Sequence, residues 1–95
     1  LFLCWRVKHG LFEENLLVGN GRFGISIGHK DTDNLLRRNR VLGNGEDGVC
    51  FRNESAGMAG HRNRIEDNLI ENNGAKRPAA GIRVQGETGD LVFKG

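Results

Sequence analysis

Apolar residues recur along this chain in short alternating runs that each follow a glycine. Three copies of the run align, and they are Gly24-Ile25-Ser26-Ile27, Gly48-Val49-Cys50-Phe51 and Gly81-Ile82-Arg83-Val84. The interval from Gly24 to Gly48 is shorter than the interval from Gly48 to Gly81. A further run, Leu1-Phe2-Leu3, precedes the Ile25 run by the shorter of these intervals. Self-similarity at a recurring interval predicts a stack of structural repeats.

A second pattern follows each run and alternates asparagine with an apolar residue. Its two clear copies are Asn34-x-Leu36-x-x-Asn39-x-Val41-x-x-Asn44 and Asn63-x-Ile65-x-x-Asn68-x-Ile70-x-x-Asn73, and a weaker copy is Gly10-x-Phe12-x-x-Asn15-x-Leu17-x-x-Asn20. Apolar residues five apart fit neither a helix nor one long strand. They predict strands of two or three residues separated by sharp bends. Glycine and asparagine, with 15 and 10 copies in the chain, accept the left-handed backbone that such bends require.

Each repeat is therefore predicted to be one coil of three short strands, and the coils are approximately 1–23, 24–47, 48–80 and 81–95. The third coil is longer because it contains two insertions, around Asn53–Gly60 and Ala75–Ala80. Coils stacked about 4.8 Å apart would form three parallel sheets. Equivalent inward residues would then lie in columns, which are Leu1, Ile25, Val49 and Ile82; Leu3, Ile27, Phe51 and Val84; Phe12, Leu36 and Ile65; and Leu17, Val41 and Ile70. Asparagine ladders are predicted at two bends, formed by Asn15, Asn39 and Asn68 and by Asn20, Asn44 and Asn73.

Charged residues test this register independently of the apolar ones. The pairs Glu13-Glu14, Arg37-Arg38 and Glu66-Asp67 occupy equivalent positions in successive coils. Their charge alternates from negative to positive to negative along the stack. We expect structural ion pairs here, each contributing only about 0–1 kcal/mol where exposed.

The glycine run followed by the asparagine pattern resembles the parallel β-helix repeat of the pectin-lyase-like superfamily, which includes the periplasmic NosD-like proteins. The resemblance covers essentially the whole chain. It implies an all-β fold, a right-handed parallel β-helix solenoid, and the hand agrees with the general rule for parallel crossovers. Both ends of the chain look cut, so we expect a fragment of a longer solenoid whose terminal coils present unpaired strand edges.

The resemblance also implies an extracytoplasmic location, secreted or periplasmic, and a role with carbohydrate. Either the protein binds or processes an acidic polysaccharide, as a polysaccharide lyase, glycoside hydrolase or epimerase would, or it is a non-catalytic structural, binding or accessory module. Enzymes of this superfamily bind polysaccharide along one sheet, so the predicted binding residues lie beside the glycine-run strands: Lys30, Arg52, Arg83 and His29. Arginine can bind a carboxylate through two parallel hydrogen bonds. The catalytic residues are left unassigned, and Lys30 is also expected to pair with Glu54 in the stack.

Other classes of function find little support in the sequence. Charge is nearly balanced, with 14 basic and 12 acidic residues, which argues against nucleic acid as a partner. No apolar run approaches the ~18 residues of a membrane span. The match to G-x-G-x-x-G at residues 19–24 recurs at residues 43–48 and is followed by a strand, so it predicts a bend rather than a nucleotide site. Oligomeric state and substrate are left open.

Metal and cysteine chemistry are likewise not indicated. His9, His29 and His61 lack the spacing of metal ligands, and no cofactor is expected. The segment Asp31-Thr32-Asp33-Asn34 starts like a calcium loop but continues with leucine, so it predicts an aspartate-rich turn, and the resemblance leaves only a weak surface calcium site open. Cys4 and Cys50 lie two coils apart, about 9–10 Å, which is too far for a disulfide.

Overall fold

The computed structural model describes residues 1–74 and 81–94, and they form a parallel β-helix. Ten three-residue strands follow one another there: β1 Leu11–Glu13, β2 Leu16–Val18, β3 Ile25–Ile27, β4 Leu35–Arg37, β5 Arg40–Leu42, β6 Val49–Phe51, β7 Arg64–Glu66, β8 Leu69–Glu71, β9 Ile82–Val84 and β10 Val92–Lys94. They pair in parallel into three sheets, in the orders β1-β4-β7-β10, β2-β5-β8 and β3-β6-β9. The predicted all-β fold with three strands per coil is confirmed. The insertion predicted at Ala75–Ala80 lies outside the described residues.

The strands pair in the register that the apolar pattern predicts. Leu36 lies opposite Phe12 on one side and Ile65 on the other, and the other predicted columns follow the same rule. The fully buried apolar core is drawn from these columns and consists of Leu3, Ile25, Ile27, Leu36, Val41, Val49, Phe51 and Ile65. Phe93 lies opposite Ile65 and so adds a fourth residue to the predicted column of Phe12, Leu36 and Ile65.

Asparagine side chains tie each bend to the next coil. Asn39 Oδ1 accepts from the backbone N–H and the side-chain amide of Asn15, both at 3.0 Å, and Asn39 Nδ2 donates to Phe12 O at 3.0 Å. Asn68 repeats these contacts one coil later. The ladder Asn20, Asn44 and Asn73 is built in the same way. Both predicted ladders are confirmed, and they satisfy polar groups that would otherwise be buried without partners.

The alternating charges pair as predicted between the first and second coils, whereas Glu66 of the third coil pairs with Arg64 of its own strand at 2.6 Å. Arg37 Nε lies 2.7 Å from Glu13 Oε2, and Arg38 Nη1 lies 3.9 Å from Glu14 Oε1. The hydrogen bond to Glu13 raises the pKa of the Arg37 guanidinium. Arg37 is also in register with Glu66. These pairs are exposed enough for solvent to screen them, so their main role is to favour the correct register.

The insertion in the third coil begins directly after Arg52 and changes what lies over the preceding turn. In the second coil Asp31 N donates to Gly28 O at 2.9 Å and closes a tight turn. In the third coil the chain continues outward, and Met58 O accepts from Lys30 N at 2.7 Å. The expected pair of Lys30 with Glu54 is therefore wrong, because Met58 rather than Glu54 is stacked on Lys30. Glu54 instead pairs with His29.

Both cysteines are free thiols, as predicted. Cys4 is exposed and Cys50 is buried. Burial raises the pKa of the Cys50 thiol, and the nearby Asp47 carboxylate adds to the effect.

Candidate functional site

The candidate site is the outer face of the β3-β6-β9 sheet together with the turns that follow these strands. The four predicted binding residues lie along this face. Here Ser26 and Cys50 point outward from β3 and β6 yet are only 3% and 2% exposed. Other side chains therefore cover the centre of the face.

Arg52 covers much of it by folding back across two coils. Its Nη1 donates to Ser26 Oγ at 2.8 Å, and its Nη2 donates to Leu3 O at 2.9 Å. Gly28 leaves the room for this path, because a Cβ there would lie 2.9 Å from Arg52 Nε. The guanidinium also lies over the Phe2 ring, 4.4 Å from its centroid. Arg52 thus holds three coils together, and little of its hydrogen-bonding capacity faces solvent.

Asp31 supplies the counter-charge to Arg52 from inside the turn. Its carboxylate is fully buried and accepts from Val7 N at 3.0 Å and Gly28 N at 3.1 Å. Arg52 Nη2 lies 3.4 Å from Asp31 Oδ2. The Asp31–Asn34 segment is therefore a turn that uses this carboxylate internally. Among residues 1–74 and 81–94, no cluster of three or more His, Cys, Asp or Glu is arranged to hold a metal ion.

Arg83 is likewise paired with a buried carboxylate. Its Nε donates to Asp47 Oδ2 at 2.9 Å, and Asp47 is only 1% exposed. This hydrogen bond raises the pKa of the Arg83 guanidinium. The predicted cationic row thus has two arginines whose charge is balanced by buried aspartates. Lys30 has no ion pair with any residue in the described part of the chain.

His29 connects two other side chains of the same face. Its Nδ1 lies 3.3 Å from Cys4 Sγ, and its Nε2 lies 2.9 Å from Glu54 Oε1. The Trp5 ring packs beside it, with centroids 5.8 Å apart. The sequence pattern placed His29 on this face but did not indicate these partners.

A pocket of about 230 Å³ opens at the N-terminal end of the outer face. Its lining residues are Leu1, Phe2, Arg22, Phe23, Ser26 and Arg52. The Arg22 guanidinium lies 4.8 Å from the centroid of the Phe23 ring. Its Nε pairs with Glu46 Oε2 at 3.1 Å, while 70% of the side chain is exposed. Sequence reasoning missed Arg22 and Phe23, although an aromatic and a cation directly before the glycine run were a usable signal.

Comparisons with known proteins agree with this architecture. A family model described as a right-handed beta helix region matches residues 3–95. No curated protein and no solved structure matches the chain. In the described residues there is also no helix with the length and apolar character needed to cross a membrane. Because the family match spans nearly the whole sequence and the strands stack in three parallel sheets, the chain belongs to the right-handed β-helix family.

Proposed function

We propose that this protein binds an acidic polysaccharide on the outer face of the β3-β6-β9 sheet. The observation that supports this best is the pocket in which the exposed Arg22 lies over the Phe23 ring and which Phe2 also lines. Its volume of about 230 Å³ is below the ~300–1,000 Å³ of typical small-molecule sites. A pocket of this size suits one sugar unit of a polymer that continues along the surface. The proposal includes an extracytoplasmic location, which rests on the family resemblance alone.

The chemistry of the pocket suits a uronic acid. Glu46 occupies Arg22 Nε, while the exposed end of the guanidinium has donors that can bind a sugar carboxylate. Phe2 and Phe23 offer apolar ring surface for the faces of sugar rings. Arg52 and Arg83 are held by buried aspartates. The cationic donors of this face that could contact an anion are therefore the exposed end of Arg22, whose Nε is paired with Glu46, and Lys30.

The same pairing favours binding without catalysis. A lyase would need a base and a cation free to act on the substrate. Arg52 is instead committed to Ser26, Leu3 and Asp31. The non-catalytic binding module is therefore the form of the proposal that the geometry supports best.

Binding of the protein to uronic-acid polymers and to neutral glucans at low ionic strength tests the proposal. We expect preference for the uronic-acid polymers, weakening as salt rises. Arg22→Gln is expected to weaken binding by about tenfold, the effect of losing one charge-assisted hydrogen bond. Phe23→Ala is expected to weaken binding to the same polymers.

The matched control is Arg64→Gln. Arg64 lies on β7, is 57% exposed and pairs with Glu66 at 2.6 Å, so it resembles Arg22 in exposure and pairing but belongs to another sheet. Arg64→Gln should bind as the wild type does. Equal affinity for both polymer classes, or equal losses in the two arginine variants, would contradict the proposal.

A further inference from the structure

Cys4, His29 and Glu54 are in contact across three successive coils, and the Cys4 thiol is hydrogen-bonded to the His29 ring. Cys4 Sγ lies 3.3 Å from His29 Nδ1, and Glu54 Oε1 lies 2.9 Å from His29 Nε2. Each residue closely follows the apolar run that opens its own coil, and the insertion after Arg52 places Glu54 beside His29. A nucleophile beside a base that is oriented by a third group is the arrangement that activates thiols and hydroxyls.

The Glu54 carboxylate influences which ring nitrogen of His29 carries the hydrogen. A carboxylate 2.9 Å from His29 Nε2 favours the tautomer with its hydrogen on that nitrogen. In this tautomer of the neutral ring, Nδ1 is an acceptor and faces the Cys4 thiol. His29 could then take the thiol proton.

The surrounding chain keeps the ring in place and leaves the thiol open. His29 has a left-handed backbone, with φ of 44°, in the turn that the Asp31 N to Gly28 O hydrogen bond closes. The backbone of Glu54 is held by the next coil, because Glu87 N donates a hydrogen bond to Glu54 O at 2.9 Å. Cys4 is exposed, whereas Cys50 is buried and its pKa is raised. The two thiols of the chain therefore differ in both access and neighbours.

We propose that Cys4 is an activated thiol that exchanges with low-molecular-weight disulfides, with His29 as its base and Glu54 as a positioning residue. The Cys4 proton passes to His29 Nδ1, and the thiolate attacks one sulfur of the disulfide. A new bond forms to Cys4 Sγ as the old sulfur–sulfur bond breaks. The departing thiolate takes the proton from His29. Cys4 is oxidised to a mixed disulfide and the departing sulfur is reduced to a thiol.

Among the reactions of an activated thiol, disulfide exchange requires the fewest groups at this site. It requires a thiolate and open access for the second sulfur, and the site combines a base for the thiol with an exposed position. Acyl transfer would also require donors aimed at an oxyanion. The proposal is independent of polysaccharide binding, since it uses none of the residues that line the pocket.

The test is the rate at which oxidised glutathione modifies each cysteine at pH 7, followed by peptide mapping with mass spectrometry. Cys4 in the folded protein should react about tenfold faster than in the urea-unfolded protein, because a free thiol is only a few per cent ionised at this pH. His29→Asn, which tolerates the left-handed backbone, should lose this advantage, and added imidazole should restore part of it. Glu54→Gln should lower the rate and Glu54→Asp should recover some of it.

His9→Asn is the matched control, since His9 also has a left-handed backbone, with φ of 54°, and should leave the Cys4 rate unchanged. Slow modification of Cys50 reports that each variant is still folded. A wild-type Cys4 rate in His29→Asn, or equal Cys4 rates in folded and unfolded protein, would overturn the proposal. If His29→Asn exposes Cys50, the variant is not folded and its Cys4 rate does not test the proposal. The Glu54 variants and the comparison of Cys4 rates in folded and unfolded wild-type protein then decide it.

Discussion

Replacing Ile65 with aspartate is expected to destabilise the β-helix strongly. Ile65 is 3% exposed and lies in register between Leu36 and Phe93. A carboxylate there would be surrounded by apolar side chains with no partner. An unpaired buried charge costs about 3–5 kcal/mol, which is a large part of the ~5–15 kcal/mol that stabilises a typical domain. Chemical denaturation followed by circular dichroism would measure the loss.

Leu69→Asp is the matched control for this change. Leu69 lies on the adjoining strand β8, is 43% exposed and is in register with Arg40. A side chain of the same size would be lost there, and the same new charge would face solvent and a cation. We expect Leu69→Asp to keep most of the wild-type free energy of unfolding. A cooperatively folded Ile65→Asp protein with near-wild-type stability would contradict the register of the third coil.

The register could be predicted from sequence because each coil repeats the same local pattern. Asparagine at the bends and apolar residues between them fix which residues stack, as Asn39 on Asn15 and Val41 on Leu17 illustrate. The signal for Phe93 was also present, since it follows Ile82 at the same interval at which Leu36 follows Ile25. That spacing places Phe93 in the column of Ile65, where the structure has it.

The contacts of the candidate site could not be predicted in the same way. The repeat predicts the position of each Cα. It does not predict which residues of other coils a long side chain contacts. Arg52 reaches back to Leu3 O, 49 residues earlier in the chain. The insertion after Arg52 also moves Glu54 from Lys30 to His29. The position of Arg52, Arg83 and His29 on the outer face was therefore predictable. The pairing of the two arginines with Asp31 and Asp47, and the contact of His29 with Glu54, were not.

Replacing Gly48 with alanine is expected to destabilise the stack by a different route. Gly48 begins the glycine run of the third coil, and a Cβ there would lie 2.6 Å from Gly81 O and 2.6 Å from Ile70 Cγ2. The carbonyl belongs to the next coil, so relief requires neighbouring coils to move apart. Overpacking of this kind costs about 1–3 kcal/mol. For a domain of this size each kcal/mol lowers Tm by about 4–8 °C, which thermal denaturation would detect.

Gly57→Ala separates this steric effect from the general effect of adding a methyl group. Gly57 lies in the insertion of the third coil, and a Cβ there would have nothing within 4 Å. The same substitution should therefore leave Tm within about 4 °C of the wild type, since surface changes of this kind usually stay within about ±0.5 kcal/mol. Glycine is needed at Gly24 and Gly48 because the backbone of the next coil passes too close for a side chain. Equal Tm values for the two alanine variants would mean that the coils can move apart at Gly48 without loss of stability. That result would contradict this explanation of the motif.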